Sequence, residues 1–542
     1  MKPARLSAAV WLIAVAAAGA AERSLPVFTD VTEQAGIRAK HSFGDFNLSN
    51  IVEGTGAGAA FFDYNGDGLL DIYLVNGRWR KDVSDNEGRR LRGKLRNTLY
   101  RNNGDGTFTD VTEQAGVGGG EGYGVACSAA DYDNDGDLDL YVLNYGPNVL
   151  YRNNGDGTFT DVSKASGLDD PRWSVSGVWF DYNGDGLLDV YVANYLEYDQ
   201  GKFRSYYAAA GYPGPLSYRG QADALYRNNG DGTFTDVTKE AGIYSPEGRA
   251  MSATVADLNN DGLLDIYVAN DAMENYYFEN QGNGKFRSKA LEMGMAFGEG
   301  GQGVSSMGPS IGDVDRDGRL DIYIPDMGYG CLLMNRGKSF EDRTTASHLA
   351  VLCGQYTGWG GVLFDYDNDG YLDLFIANGD AHHEYPEEAV LARNNGKGDF
   401  EDVAKQSGPY FRRKFVGRGA THGDFDNDGD LDLLVVNLND VPRLLRNDGG
   451  NRRNWLTVIA KRPNGKSDAI GARVTVKAGG LTQIEDIVPV RGYLSQADPR
   501  PHFGLGDAAK ADLVEVRWPN GKTTQRRNVP ANQFITVVQD AP

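Results

Sequence analysis

The chain has 542 residues, too many for one compact core of ordinary size, so two domains or one large closed repeat array are expected. Hydrophobic residues at 40%, aromatics at 11% and 72 glycines describe a folded, turn-rich protein, which excludes both a disordered chain and a bundle of membrane helices. A formal net charge of −21 argues against nucleic acid as a partner.

Residues 1–21 read as an export signal, with Lys2 and Arg5 ahead of the apolar run Ala8 to Ala18 and the small residues Gly19, Ala20 and Ala21 at a cleavage point. The run is short for a membrane anchor, no Cys follows it as a lipid acceptor, and no later stretch is long and apolar enough to span a bilayer. The mature chain is therefore expected outside the cytoplasm: secreted, periplasmic or at the cell surface. Three cysteines are too few for a disulfide scaffold. Cys331 and Cys353 are the one candidate pair, and Cys127, within Gly124-Val125-Ala126-Cys127-Ser128-Ala129, reads as buried packing.

Residues 22–450 carry one pattern, D-x-[DN]-x-D-G-x-L-D, seven times. Calcium takes six to eight hard oxygen ligands at about 2.3–2.6 Å, and alternate positions of a tight loop can converge on one ion. The expected ligands of the first loop are Asp63, Asn65, Asp67, Leu69 and Asp71, with Leu69 acting through its main-chain carbonyl and Gly68 making the turn. The second loop offers Asp131, Asp133, Asp135, Asp137 and Asp139, and the third Asp181, Asn183, Asp185, Leu187 and Asp189. The fourth offers Asp257, Asn259, Asp261, Leu263 and Asp265, and the fifth Asp313, Asp315, Asp317, Arg319 and Asp321. Asp365, Asp367, Asp369, Tyr371 and Asp373 form the sixth set, and Asp424, Asp426, Asp428, Asp430 and Asp432 the seventh. Three or four carboxylates within nine residues would repel one another without a cation, so about seven structural Ca²⁺ ions are expected. EF-hands are excluded, because position twelve is Leu74, Val142, Val192, Val268, Ile324, Ile376 or Val435 where an EF-hand needs Glu.

Each loop joins two short apolar runs, and a second hairpin follows, plainest in Leu99-Tyr100-Arg101-Asn102-Asn103-Gly104-Asp105-Gly106-Thr107-Phe108-Thr109-Asp110-Val111. Asp105 and its equivalents read as turn residues. Four strands per repeat, recurring every 50–76 residues from one first Asp to the next, predict an all-β, seven-bladed β-propeller. Small residues before the loops (Gly56-Ala57-Gly58-Ala59-Ala60, Ser252-Ala253-Thr254, Gly360-Gly361 and Gly419-Ala420) are expected where blades crowd a narrow axis. Phe28 to Gly36 duplicates Phe108 to Gly116 without the hairpin that should precede it, while Leu444 to Gly449 lacks the strand that should follow. The N-terminal strand is thus expected to complete the last blade.

Residues 451–542 read as a small β-sandwich, with strands at Trp455 to Ala460, Ala472 to Lys477, Thr482 to Val488, Leu513 to Trp518 and Phe534 to Val538. The seven loops resemble FG-GAP/VCBS repeats of the integrin α-subunit type. Asp468 to Val474, Gly492-Tyr493-Leu494-Ser495-Gln496, His502 to Gly506 and Val514 to Pro519 resemble an ASPIC/UnbV domain. Together they are similar to the cartilage acidic protein 1 family. The resemblance implies an extracellular, calcium-binding protein of adhesion or matrix type and transfers no catalytic residue.

Calcium loops on one face of a disc leave the long loops Gly77 to Arg96, Tyr195 to Ala224 and Gly379 to Glu388 for the other. Candidate ligand contacts there are Trp79, Arg80, Tyr206, Tyr207, Tyr212, Tyr218, His382, His383 and Glu384, whose aromatics and cations suit a glycan or an extracellular or cell-surface protein. No nucleophile elbow, catalytic zinc signature or acid/base pair outside the loops is found, which favours a non-catalytic recognition module. The alternative is a polysaccharide lyase or hydrolase whose site is assembled from distant loops.

Overall fold

A computed structural model describes residues 24–202 and 211–541. The predicted export signal, Tyr206 and Tyr207 lie outside the described residues. The fold is all-β. Among the described residues, seven antiparallel sheets follow one another, each running from first to fourth strand without a crossover, and the fourth carries a short fifth strand, Val304–Ser305, beside its second. In the first sheet the strands are Ala59–Phe62, Asp71–Leu74, Thr98–Asn102 and Phe108–Asp110. In the last they are Gly417–Gly423, Asp432–Asn437, Arg443–Asp448 and, from the other end of the chain, Val27–Asp30. Val27 pairs with Asp448 and Thr29 with Arg446. Phe28 anchors this strand, its ring 6.4 Å from Phe364 and 6.0 Å from Phe411.

First strands of neighbouring sheets lie against one another from the first sheet to the fourth and from the fifth to the seventh, and that of the seventh lies against that of the first. This is the strand order of a β-propeller, with the first strands lining the axis. Short helical turns missed in the sequence follow the fourth strands, as at Thr112–Ala115 and Ser163–Ser166. Their signal was present: the Asp110 carboxylate accepts from the Thr112 amide at 3.0 Å, and Gly116 closes the turn in a left-handed conformation.

The C-terminal unit is two sheets, one of Asn454–Lys461, His502–Gly506 and Gln533–Val538, the other of Arg473–Ala478, Leu481–Asp486, Lys510–Arg517 and Thr523–Pro530. His502–Gly506 and Thr523–Pro530 were not anticipated as strands; the second is almost wholly exposed and lacks apolar alternation. All three cysteines are buried and free, so Cys331 and Cys353 are not bonded.

The small residues of the first strands have two causes. Crowding, as expected, holds at Gly360, where a Cβ would strike Ala420 and Arg418 of the next first strand, whereas others make room for segment 488–498 of the C-terminal unit, which fills the axis. The Gln496 amide donates to the Ala59 carbonyl at 2.9 Å, its side-chain oxygen accepts from the Ala129 amide at 2.7 Å, and its carbonyl accepts from the Thr421 hydroxyl at 2.8 Å. Further around the channel, the Ser252 hydroxyl donates to the Gly492 carbonyl at 3.0 Å, and the Gly492 amide donates to the Pro309 carbonyl at 3.0 Å. A Cβ at Gly58 would strike the Leu494 carbonyl, and one at Gly308 the Tyr493 main chain. Gly58→Ala and Gly308→Ala should therefore each cost about 1–3 kcal/mol of stability by overpacking, read by chemical denaturation. Wild-type stability in both variants would contradict a filled channel.

Candidate functional site

All seven Asp loops fold alike. The first-position carboxylate accepts from the amide of the sixth-position glycine, as Asp63 does from Gly68 at 2.8 Å and Asp365 from Gly370 at 2.8 Å. Those glycines and the fourth-position residues have positive φ. Position four is Gly in two loops, Asn in four and Arg316 in the fifth, and only the glycine and asparagine choices suit that conformation well. The ninth-position Asp is a main-chain clamp: Asp71 accepts from Tyr64 at 3.0 Å and from Asn102 at 2.8 Å, and Asp139 accepts from Tyr132 at 3.2 Å and Asn153 at 2.8 Å.

The sequence reading missed Asn102 and its equivalents, treating them as hairpin residues. The Asn102 side chain donates to the Leu70 carbonyl of its own loop at 3.0 Å and to the Phe425 carbonyl of the preceding sheet's loop at 2.8 Å. Asn153 reaches Tyr64, Asn228 reaches Tyr132, Asn280 reaches Tyr182, Asn335 reaches Leu258, Asn394 reaches Val314 and Asn447 reaches Tyr366 in the same way. The recurrence of R-N or its variants before each second turn was the available signal.

The donor set fits a hard divalent cation. One carboxylate oxygen from each of Asp131, Asp133 and Asp139 lies within 4.8 Å of the others, and the same holds for Asp313, Asp315 and Asp321, for Asp365, Asp367 and Asp373, and for Asp424, Asp426 and Asp432. The Oδ1 atoms of Asp131, Asp257, Asp315 and Asp430 are buried without a hydrogen-bond partner. Burial pushes the carboxyl of Asp71 up to about 8, Asp139 to about 9 and Asp189 and Asp265 to about 8. Each also faces the carboxylates of its own loop, a repulsion that a bound cation would relieve. Several of the loops could thus hold a metal ion.

The loops are not equivalent. In the fifth, Arg336 pairs with Asp315 at 2.9 Å and Arg319 pairs with Asp317. In the sixth, Arg393 pairs with Asp367 at 2.9 Å and Asp369 at 2.8 Å. Arg316 is buried beside Asp313, Asp365 and Asp369.

The seven candidate ligand residues that are described do not form one surface. Tyr212 and His382 meet, ring centroids 5.2 Å apart, in a cavity at the axis lined also by Tyr195, Met251, Asp271, Met307 and Trp359. The Tyr195 hydroxyl donates to Asp271 at 2.5 Å, Tyr212 to the Ala381 carbonyl, and the Trp359 indole to the Gly379 carbonyl at 2.7 Å, leaving ring faces to line the wall. Arg418, fully buried, stacks on Trp359 at 4.0 Å. Arg80 instead stacks on Tyr145, and Tyr218 joins that row through Tyr198. Trp79 donates to the Asp85 carbonyl at 2.9 Å and lies under Arg92. His383 stacks on Tyr385 beside Asp380, and Glu384 accepts from Asn439 at 3.1 Å. Local hydrogen bonds turn these residues away from the cavity. Tyr195, Asp271 and Trp359 were not anticipated there, because they sit in or beside strands whose pattern reads as core.

The loop positions should separate in mutants. Asp139→Asn should cost about 1–3 kcal/mol with or without calcium, because both its oxygens hold amides. Asp133→Asn, at an exposed position, should stay within about 0.5 kcal/mol of wild type in chelator and lose only calcium-dependent stability. Denaturation curves in calcium and in EGTA would distinguish the two.

The FG-GAP-like repeat model matches residues 63–142, 131–192, 214–268, 257–324 and 365–435, and the ASPIC and UnbV model matches residues 462–542. Cartilage acidic protein 1 of Mus musculus is 29% identical over 328 residues, 56% of this chain and 47% of that protein. Its Homo sapiens counterpart is 30% identical over 321 residues, 56% and 46%. The chain thus spans about half the length of the curated relatives it matches. Among solved structures, a lectin of Agrocybe aegerita that recognises non-reducing terminal N-acetylglucosamine aligns with a TM-score of 0.40 at 18% identity, covering 71% of this chain and 86% of the lectin. The exotype rhamnogalacturonan lyase YesX aligns at 0.38 and 12%, covering 73% and 72%. With matches over more than half its length, the chain belongs to the FG-GAP-like repeat family and carries an ASPIC and UnbV domain at its C-terminal end.

Proposed function

We propose that the protein is an exported calcium-binding recognition module that captures a glycan, or a glycan-bearing extracellular protein, in the axial cavity away from the calcium loops. About seven Ca²⁺ ions serve as structural staples in a protein that has no disulfides. Asp63, Asn65, Asp67, Asp71 and their equivalents would hold them, each ion supplying the charge that the carboxylates lack. At about 1 mM free Ca²⁺ and a Kd of about 10⁻⁴ M, each site would add about 1.4 kcal/mol.

The observation that carries the ligand reading is the wall of Tyr195, Tyr212 and Trp359 around the Asp271 carboxylate. Aromatic faces with their polar groups already satisfied suit the apolar face of a sugar ring, and a carboxylate suits its hydroxyls. Cartilage acidic protein 1 as the similar curated protein, and a lectin among the weaker structural likenesses, agree with this reading. Recognition without catalysis is favoured, since the Tyr195 and Tyr212 hydroxyls are each committed to an internal acceptor and burial holds both well above the usual phenol range.

A glycan array run in calcium and again in EGTA is the direct test. Tyr212→Ala and Asp271→Asn should lose capture, whereas Trp79→Ala should keep it. Capture that survives both cavity variants would place the site elsewhere. EGTA should also lower the melting temperature by many degrees, and an unchanged melting curve would contradict structural calcium.

A further inference from the structure

The cover over the loop face supplies an inference beyond ligand capture. The first-position carboxylates of the second, fourth, sixth and seventh loops, Asp131, Asp257, Asp365 and Asp424, are only 1–3% exposed. The C-terminal unit lies on each of them. The Ser467 hydroxyl donates to Asp131 Oδ2, and Arg517 pairs with Asp257 Oδ2 at 2.6 Å. Gly504 sits so close to Asp365 that a Cβ would overlap its carboxylate, and Arg500 donates to the Asp424 carbonyl at 3.0 Å. In contrast, Asp63 and Asp181 of the first and third loops stay partly exposed.

Docking therefore takes water away from loops that each hold three to five carboxylates. Ionised carboxylates are expensive to desolvate unless compensated. Ser467 is neutral, Arg500 meets a carbonyl, and Asp131 Oδ1 and Asp257 Oδ1 remain buried without partners. The cover does bring cations, Arg453 to Asp367 at 2.7 Å and Arg473 at 3.8 Å from Asp257, yet its residues do not fully match the charge they bury. A divalent cation in each loop would, while leaving Asp131 Oδ2 to Ser467 and Asp257 Oδ2 to Arg517. The cavity at this interface is mixed, with Glu485, Asp486, Arg491, His422 and His502 set among Ile311, Leu363, Phe364 and Ile484, so charge compensation adds to apolar contact in setting its strength.

We propose that the C-terminal unit docks on the loop face only when the loops beneath it carry divalent cations, so that metal binding seats segment 488–498 in the axial channel and metal loss releases it. The linkage is reciprocal: docking must tighten metal binding at the covered loops by the factor that metal tightens docking.

Hydrogen exchange on the full chain, with calcium chloride or EGTA, tests this. The reporters are the amides of Gly492, Gln496 and Asp498, which donate across the channel to Pro309, Ala59 and His422. The controls are the ladder joining Arg473–Ala478 to Lys510–Arg517 and that joining Asp71–Leu74 to Thr98–Asn102. EGTA should speed exchange at the reporters at least about 10-fold while both controls stay protected. Reporters that stay protected, or that open only together with the controls, overturn the proposal.

Tyr493→Ala gives a second measurement. Tyr493 packs on Trp359 at 5.2 Å and donates to the Thr55 carbonyl at 3.0 Å, away from every loop. Weakening the seat should weaken calcium at the covered loops at least about 3-fold by calorimetric titration and leave the remaining sites unchanged. An isotherm identical to wild type overturns the linkage.

Discussion

One asparagine per sheet does what a disulfide would do in another protein. Its side chain is held between the carbonyl of its own loop and the carbonyl of the loop before it, and its main-chain amide is held by the buried Asp at the loop's end. Around the ring these bonds form a closed belt from Asn102 to Asn447, and the Asn102 link to Phe425 joins the two ends of the repeat array. Each is a buried amide between strong acceptors, where an unmade bond costs more than a made one returns. The belt therefore fixes the angle between sheets more firmly than apolar contact alone.

The belt passes through the same Asp residues that close the acidic loops. Asp71 or Asp139 cannot shift without disturbing a neighbouring sheet, so ligand geometry and blade geometry are one constraint. Where the repeat departs from its pattern, a side chain takes up the slack. Arg316 adopts a left-handed backbone that its neighbours fill with Gly or Asn, and its guanidinium crosses to the carboxylates of the next loop. The guanidiniums of Arg336, Arg393 and Arg453 crowd the fifth and sixth loops and give them an electrostatic setting unlike that of the first three.

Much of this was legible in the sequence, for a reason particular to repeats: a local motif copied seven times reports its own structure. The loops, the second hairpins and the Asp105-type turn, where Asp105 accepts from the Thr107 amide at 3.0 Å, could all be read that way. The axial segment could not. Gly492 to Gln496 has no periodicity, and its partners lie from 75 to 438 residues away, many in strands whose small residues admit two explanations: crowding or a guest. The cavity was half legible. Tyr212 and His382 drew notice as loop aromatics, but Trp359 and Asp271 lie in strands, and nothing local distinguishes a side chain facing a channel mouth from one facing a core.

The strand Val27–Asp30 carries a consequence for how the molecule is made. Its partner, Arg443–Asp448, emerges more than 400 residues later, on the order of tens of seconds at about 5–20 residues per second. During synthesis or export, the first strand and Phe28 have no sheet to join, and every earlier blade must wait for ring closure. The segment that fills the axis comes later still. The slowest contacts are thus the ones that lock the ring, so a chain interrupted late would hold assembled blades in an open arc with one edge unpaired at each end.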